Sequence, residues 1–302
     1  MRRSQPHAKL APLLCLTACL WSSTTQAQAT PEKPPEQVFQ YLNASFFTYN
    51  SLGLVNRGWF TWRNNLYLDS DALLLSDCHI STSAVTEVSP AFGRLKAEVE
   101  VKPLAILEMS ATYEGAGFFG TFHHLQFLPT ANAPHFDDDL KEGKGEPTLL
   151  QQLTLTARLQ GKVGPIAARS KLFAVWIDPP HESEQRVFYE PTYDTLVAPG
   201  GWLLTTDTDV IYVGEQWTFG LRHTWLKPLL GEDAVLPGED VPDLTQHRLG
   251  PLVAWRFADN PGQGVERQTL FALVSAWLKH PQRDTAIPFV ALGYIFQGRI
   301  FP

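Results

Sequence analysis

Cysteine is nearly absent from this chain: three in 302 residues, and two of them, Cys15 and Cys19, fall within the first twenty. Cys78 stands alone beyond that point, and one thiol closes no internal disulfide, which excludes a disulfide scaffold. Its expected role is that of a half-buried strand residue. Long apolar runs are missing too. After the N-terminus no stretch reaches the ~18 apolar residues of a membrane-crossing helix, and the mean hydropathy is only −0.12. That excludes a helical membrane protein but not one that crosses with strands, in which every second residue is polar. Basic residues are outnumbered, 24 against 31 acidic, and this acidity disfavours nucleic acid as a partner. No G-x-S-x-G, H-E-x-x-H, P-loop or internal repeat occurs, and neither a cofactor nor a metal site is expected.

What is present begins with an export pattern. Arg2, Arg3 and Lys9 form a basic start, Leu10 to Trp21 is a short apolar segment, and Ala27-Gln28-Ala29 is an A-x-A cleavage site. Removing residues 1–29 takes away those three cations and no acid, so the formal net charge of −7 falls by three to −10. A competing site, Leu16-Thr17-Ala18-Cys19, resembles a bacterial lipobox and would place a lipid on Cys19; either cut implies export. Residues 30–37 are Pro- and charge-rich, a mobile lead-in, and residues 38–302 form a single domain.

The organising stretch runs from Gly93 to Glu114. Leu95, Ala97, Val99 and Val101 alternate with Arg94, Lys96, Glu98 and Glu100; after a turn at Lys102–Pro103, Ala105, Leu107, Met109, Ala111 and Tyr113 alternate with Glu108, Ser110, Thr112 and Glu114. Strand side chains alternate faces, so this is a hairpin with one apolar and one charged wall. Asp77 to Val88 is a similar segment that leads into this hairpin, and others follow it: Gln152 to Gln160, returning through Arg169 and Lys171; Trp202 to Val213 with Thr205, Asp207 and Asp209 on one face; Trp217 to Trp225; then Arg248 to Phe257, Gln268 to Lys279 and Ile287 to Phe296. Val38 to Leu68 holds one or two strands, or a short helix and a strand. Long loops and tight turns alternate between these segments. The expected fold is all-β: an antiparallel transmembrane β-barrel of about 10–12 strands, with short periplasmic turns and longer extracellular loops. Trp176, Trp202, Trp217, Trp225 and Trp277 fall near strand ends, as interfacial girdles would.

At the C-terminus Val290, Leu292, Tyr294 and Phe296 form an alternating ladder ending aromatic-x-aromatic. It resembles the terminal-strand signal of bacterial outer-membrane β-barrel proteins, with the departure that Gln297 to Pro302 follow the last aromatic of the ladder. The resemblance implies a Gram-negative outer-membrane location, with membrane lipid and the barrel-assembly machinery as partners. It identifies a superclass and no narrower family.

The expected lumen face carries Arg94, Lys96, Arg158, Arg169, Lys171 and Arg222 against Glu98, Glu100, Glu108, Glu114, Asp207 and Asp209. Ten to twelve strands lie between the filled interior of eight and the channel of sixteen. One function class is therefore a narrow, porin-like channel or transporter for small polar solutes. A second is a plugged structural or surface-interaction barrel, in which the same charges form an internal ion-pair network. A third is an outer-membrane hydrolase acting on lipid or peptide, which the resemblance allows because that superclass includes enzymes with Ser–His or Asp–His pairs. His123–His124 and His135 near Asp137–Asp139 are candidates for it, but adjacent strand histidines would point to opposite faces, so no catalytic residue is assigned.

Overall fold

Alternation that is polar inward and apolar outward must close on itself if no sheet edge is to face lipid, and this chain does so. The computed structural model describes residues 35–50, 53–68, 70, 72–121, 125–135, 147–181, 184–260, 264–283 and 288–301. The export segment, His123–His124 and Asp137–Asp139 lie outside them. In chain order the strands are β1 (Gln37–Tyr49), β2 (Gly53–Asn65), β3 (His79–Val88), β4 (Phe92–Leu104), β5 (Leu107–Phe119), β6 (Phe127–Leu128), β7 (Pro147–Val163), β8 (Ile166–Asp178), β9 (Val187–Glu190), β10 (Thr195–Val197), β11 (Gly201–Val213), β12 (Trp217–Leu229), β13 (Gln246–Asp259), β14 (Arg267–Lys279) and β15 (Phe289–Phe301). Twelve of them form a closed antiparallel barrel in which β15 returns to pair with β1; β6, β9 and β10 form a separate small sheet.

Every barrel strand sends large apolar side chains outward. Phe47, Leu54, Ile80, Val99, Met109, Leu155, Leu172, Val210, Leu221, Leu249, Val274 and Leu292 are all exposed, one from each strand in turn. A continuous apolar exterior of this kind fits lipid and not water. On the inner face Arg57, Glu87, Arg94, Lys96, Glu114, Asp209 and Arg222 are buried.

Several details differ from the sequence reading. Val38 to Leu68 resolves into two strands, β1 and β2. The first hairpin turns at Ala105–Ile106, not at Lys102–Pro103. The register of β4 shifts between Val101 and Leu104, and this bulge accommodates Pro103, which has no N–H to give to a ladder. Residues 66–78 form a long connection at the end that otherwise carries tight turns. It is tied to the rim by Asp77, which pairs with both Arg63 and Lys102. Cys78 lies just before β3, not in it, and is fully buried, its Sγ 3.3 Å from the Pro103 carbonyl oxygen. Trp277 faces inward against Phe289 and His280 and belongs to no girdle. Finally, the last strand continues past Phe296 to Phe301, which pairs with Phe39. At this closing seam Gly293 lies opposite Phe46, whose ring would stand 2.7 Å from any Cβ placed there.

Candidate functional site: a charged lumen and its plug

The residues assigned to the lumen from sequence fall into three groups. In the first, Arg94 and Lys96 of β4 meet Glu114 of β5, at 2.7 and 2.6 Å. Glu87 of β3 joins them, bonded to Lys96 at 3.1 Å and to Arg57 of β2 at 2.5 Å. Sequence reading missed Arg57 because β2 lay in an aromatic-rich segment without clear periodicity. It missed Glu87 although that residue alternates with Ala84, Thr86 and Val88 of β3. In the second group Asp209 is clasped by Arg222, at 2.7 Å, and by Arg169, while Asp207 accepts from Thr224 Oγ1 at 2.6 Å. The third group lies nearer the tight-turn end. Glu108 pairs with Arg158, Glu98 accepts from Thr112 at 2.9 Å, and Glu100 lies 2.8 Å from His79 Nε2. Lys171 stands between Arg158 and Asp207 in register.

A plug enters from the opposite end, which carries the long connections and is extracellular by the usual barrel topology. Every residue from Val187 to Val197 is buried, although the segment connects two barrel strands and would otherwise lie on the surface. It folds as the β9–β10 hairpin with β6 alongside. Arg94 Nη2 donates to Thr192 Oγ1 at 2.7 Å and reaches Glu190 at 3.4 Å, so the wall cluster also holds the plug. Asp194, whose φ of 52° suits an aspartate at a tight bend, anchors the other side. It accepts from Arg283 Nε at 2.7 Å and from Tyr189 Oη at 2.6 Å, while Gln246 donates to its backbone carbonyl at 2.7 Å. Above the hairpin, Val187, Tyr189 and Leu196 pack with Ala131, Ala234, Val235 and Leu244, so three extracellular connections share one apolar cap.

Asp194 gives the plug a pH signature. Burial by itself raises its carboxyl, but Arg283 and His280 beside it hold it well below the usual carboxylate range. A depressed folded value contributes stability above the unfolded value of ~3.9 that is lost as the pH falls through the folded one. Amides 187–197 are therefore expected to stay protected from exchange between pH 7 and about 4 and to lose protection only at more acid pH. Asp194→Asn should lose it already at pH 7; equal protection in both proteins would mean that apolar contacts alone hold the plug.

Beneath the plug lies a small chamber of about 80 Å³, and toward the turn end a vestibule of about 590 Å³. Trp59, Glu98, Thr156 and Phe173 line both and form the waist between them. The vestibule wall is charged, with His79, Glu100, Lys102, Glu108, Arg158 and Lys171. His79 does not make it a hydrolytic site: Nε2 faces Glu100 and Nδ1 the Asp77 carbonyl oxygen at 3.0 Å. Neither nitrogen is left to take a proton from a nucleophile. His135 Nδ1 lies 2.9 Å from the Ala133 carbonyl oxygen. Among the described residues no group of three or more His, Cys, Asp or Glu could hold a metal ion.

The outer face carries an aromatic belt in which Trp217 stacks on Trp255 at 5.5 Å and the contacts continue through Phe257, Tyr294 and Phe296 to Tyr41. Val290, Leu292, Tyr294 and Phe296 all lie on this face of β15.

No protein-family model matches the chain, and no curated protein is similar to it in sequence. Solved structures that it is similar to include the outer membrane protein Omp33 of Acinetobacter baumannii (12% identity, TM-score 0.38, 88% of this chain and 99% of that one). Others are OmpT, an outer membrane protein of Vibrio cholerae (7%, 0.38, 87% and 96%), and the toluene transporter TodX of P. putida (8%, 0.37, 89% and 91%). Location follows from the barrel itself. An even-stranded, closed, antiparallel barrel with an apolar exterior, a charged interior and an aromatic belt is an outer-membrane β-barrel.

Proposed function

We propose that this protein is a narrow outer-membrane channel for small polar solutes, held shut at its extracellular end by the plug Val187–Val197. One observation carries the reading: the vestibule of about 590 Å³ is lined by charges of both signs, and beyond the waist the chamber lies against a hairpin that ion pairs and hydrogen bonds fasten to the wall. Polar fastenings of this kind can be exchanged for water when the hairpin moves. The second reading is a permanently plugged structural barrel. It is favoured by the inner faces of β13, β14 and β15, where Leu252, Ala254, Phe271, Leu273, Ala291 and Ile295 form a buried apolar wall.

The experiment is single-channel recording in planar bilayers. Wild type is expected to be mostly silent, and replacing residues 187–197 by a short Gly–Ser linker should produce discrete conductance steps. A linker variant that runs as a folded, heat-modifiable barrel yet stays silent would favour the structural reading. We also propose membrane lipid and the barrel-assembly machinery as partners, the latter reading β15 through its outward ladder Val290, Leu292, Tyr294 and Phe296.

A further inference from the structure

The charge clusters of the lumen are not equally balanced. Around Glu87, three cations (Arg57, Arg94 and Lys96) share three carboxylates (Glu87, Glu114 and Glu190). Across the lumen, Arg169, Arg222 and Arg283 already engage Asp194, Asp207 and Asp209. A fourth arginine, Arg248, is in the electrostatic field of Asp207, Arg222 and Asp194. Yet among the described residues it has no carboxylate within ion-pair reach. Its side chain is buried, with Phe289 4.1 Å and Trp277 5.6 Å from the guanidinium carbon.

The neighbouring polar atoms share this condition. Arg248 Nε and Nη1, Trp277 Nε1 and Ser275 Oγ are all buried without a hydrogen-bond partner. Trp277 lies directly opposite Arg248 in the β13–β14 register, and Ser275, two residues along the same inner face, lies opposite Phe289. Apart from the hydroxyl, which can turn either way, these groups are donors only. A buried array of donors beside an uncompensated cation calls for an acceptor that also carries negative charge. Water would accept the hydrogen bonds but leave the guanidinium uncompensated in a low-dielectric site.

We propose that Arg248, Trp277 and Ser275 form a buried binding site for one small monovalent anion of the halide class. One charge matches the one buried guanidinium that has no carboxylate within ion-pair reach among the described residues, and a halide, having no fixed lone-pair directions, can accept from donors that come from different side chains. The site stands whether or not the barrel conducts.

The probe is bromide. Crystals grown with bromide in place of chloride should show an anomalous-scattering peak within hydrogen-bond distance of the Arg248 guanidinium and the Trp277 indole N–H. In detergent, the wild-type unfolding midpoint should rise saturably with bromide and not with gluconate at equal ionic strength. Arg248→Met should abolish that rise, and Ser275→Ala should weaken it while leaving the charge in place. The crystallographic measurement needs no variant, so a misfolded Arg248→Met would not blunt the test. A site without an anomalous peak overturns the proposal. So does an unfolding midpoint insensitive to bromide.

Discussion

Glu87→Gln is expected to destabilise the barrel by about 3–5 kcal/mol, the range for breaking a buried charge pair by removing one partner. Glu87 is buried at the centre of the wall cluster, 2.5 Å from Arg57 and 3.1 Å from Lys96, with Arg94 at 3.8 Å. The amide keeps the shape and removes the charge, so three cations are left to share Glu114 and Glu190. Because Arg94 also holds Glu190 and Thr192 of the plug, exchange protection of residues 187–197 should fall in the same variant. Urea unfolding in lipid vesicles measures the first effect. A loss under about 1 kcal/mol, the scale of a solvent-exposed pair, would mean that water reaches this cluster and that it is no closed network.

Val99→Arg should cost about 2–4 kcal/mol, the penalty for a cation on the lipid face near the bilayer midplane. Val99 is half exposed near the middle of β4, and its cross-strand partners Thr82 and Ala111 are also on the outer face. No carboxylate neighbours it there. Glu98, one residue earlier, is the matched control: it faces the lumen, accepts from Thr112 and lines both cavities. Glu98→Gln keeps that hydrogen bond and should be mild. A one-residue slip in register would exchange the two faces, so a tolerated Val99→Arg beside a crippled Glu98→Gln would overturn the assignment of inside and outside.

These two variants mark where sequence reading was strong. The alternation of β4, β5, β7 and β11 carries its own face assignment, because the side-chain period of a strand is two and needs no tertiary information. The C-terminal ladder likewise read as one apolar face of a strand. Boundaries were less legible. Pro103 looked like a turn because it cannot donate to a ladder, and only the bulge at Val101–Leu104 kept it within the strand. Phe296 looked like an end, yet β15 continues to Phe301 because β1 offers a pairing edge as far as Phe39.

The sequence by itself determined that the chain crosses a membrane with strands, which faces of the clearly alternating strands are apolar, and which of the charges on those strands lie opposite the apolar face. All of these are local consequences of period-two patterning. What only the tertiary structure decided is how those charges meet and which connection is buried among them. Glu190, Thr192 and Asp194 sit in a connection with little strand patterning, more than ninety positions from Arg94 and eighty-nine from Arg283. Nothing in their local composition distinguishes a solvated loop from a plug. Barrel closure brings β4, β13 and the connection after β14 around one interior, and burial then makes their pairing strong, so the fastening of this hairpin is a property of the ring rather than of any strand in it.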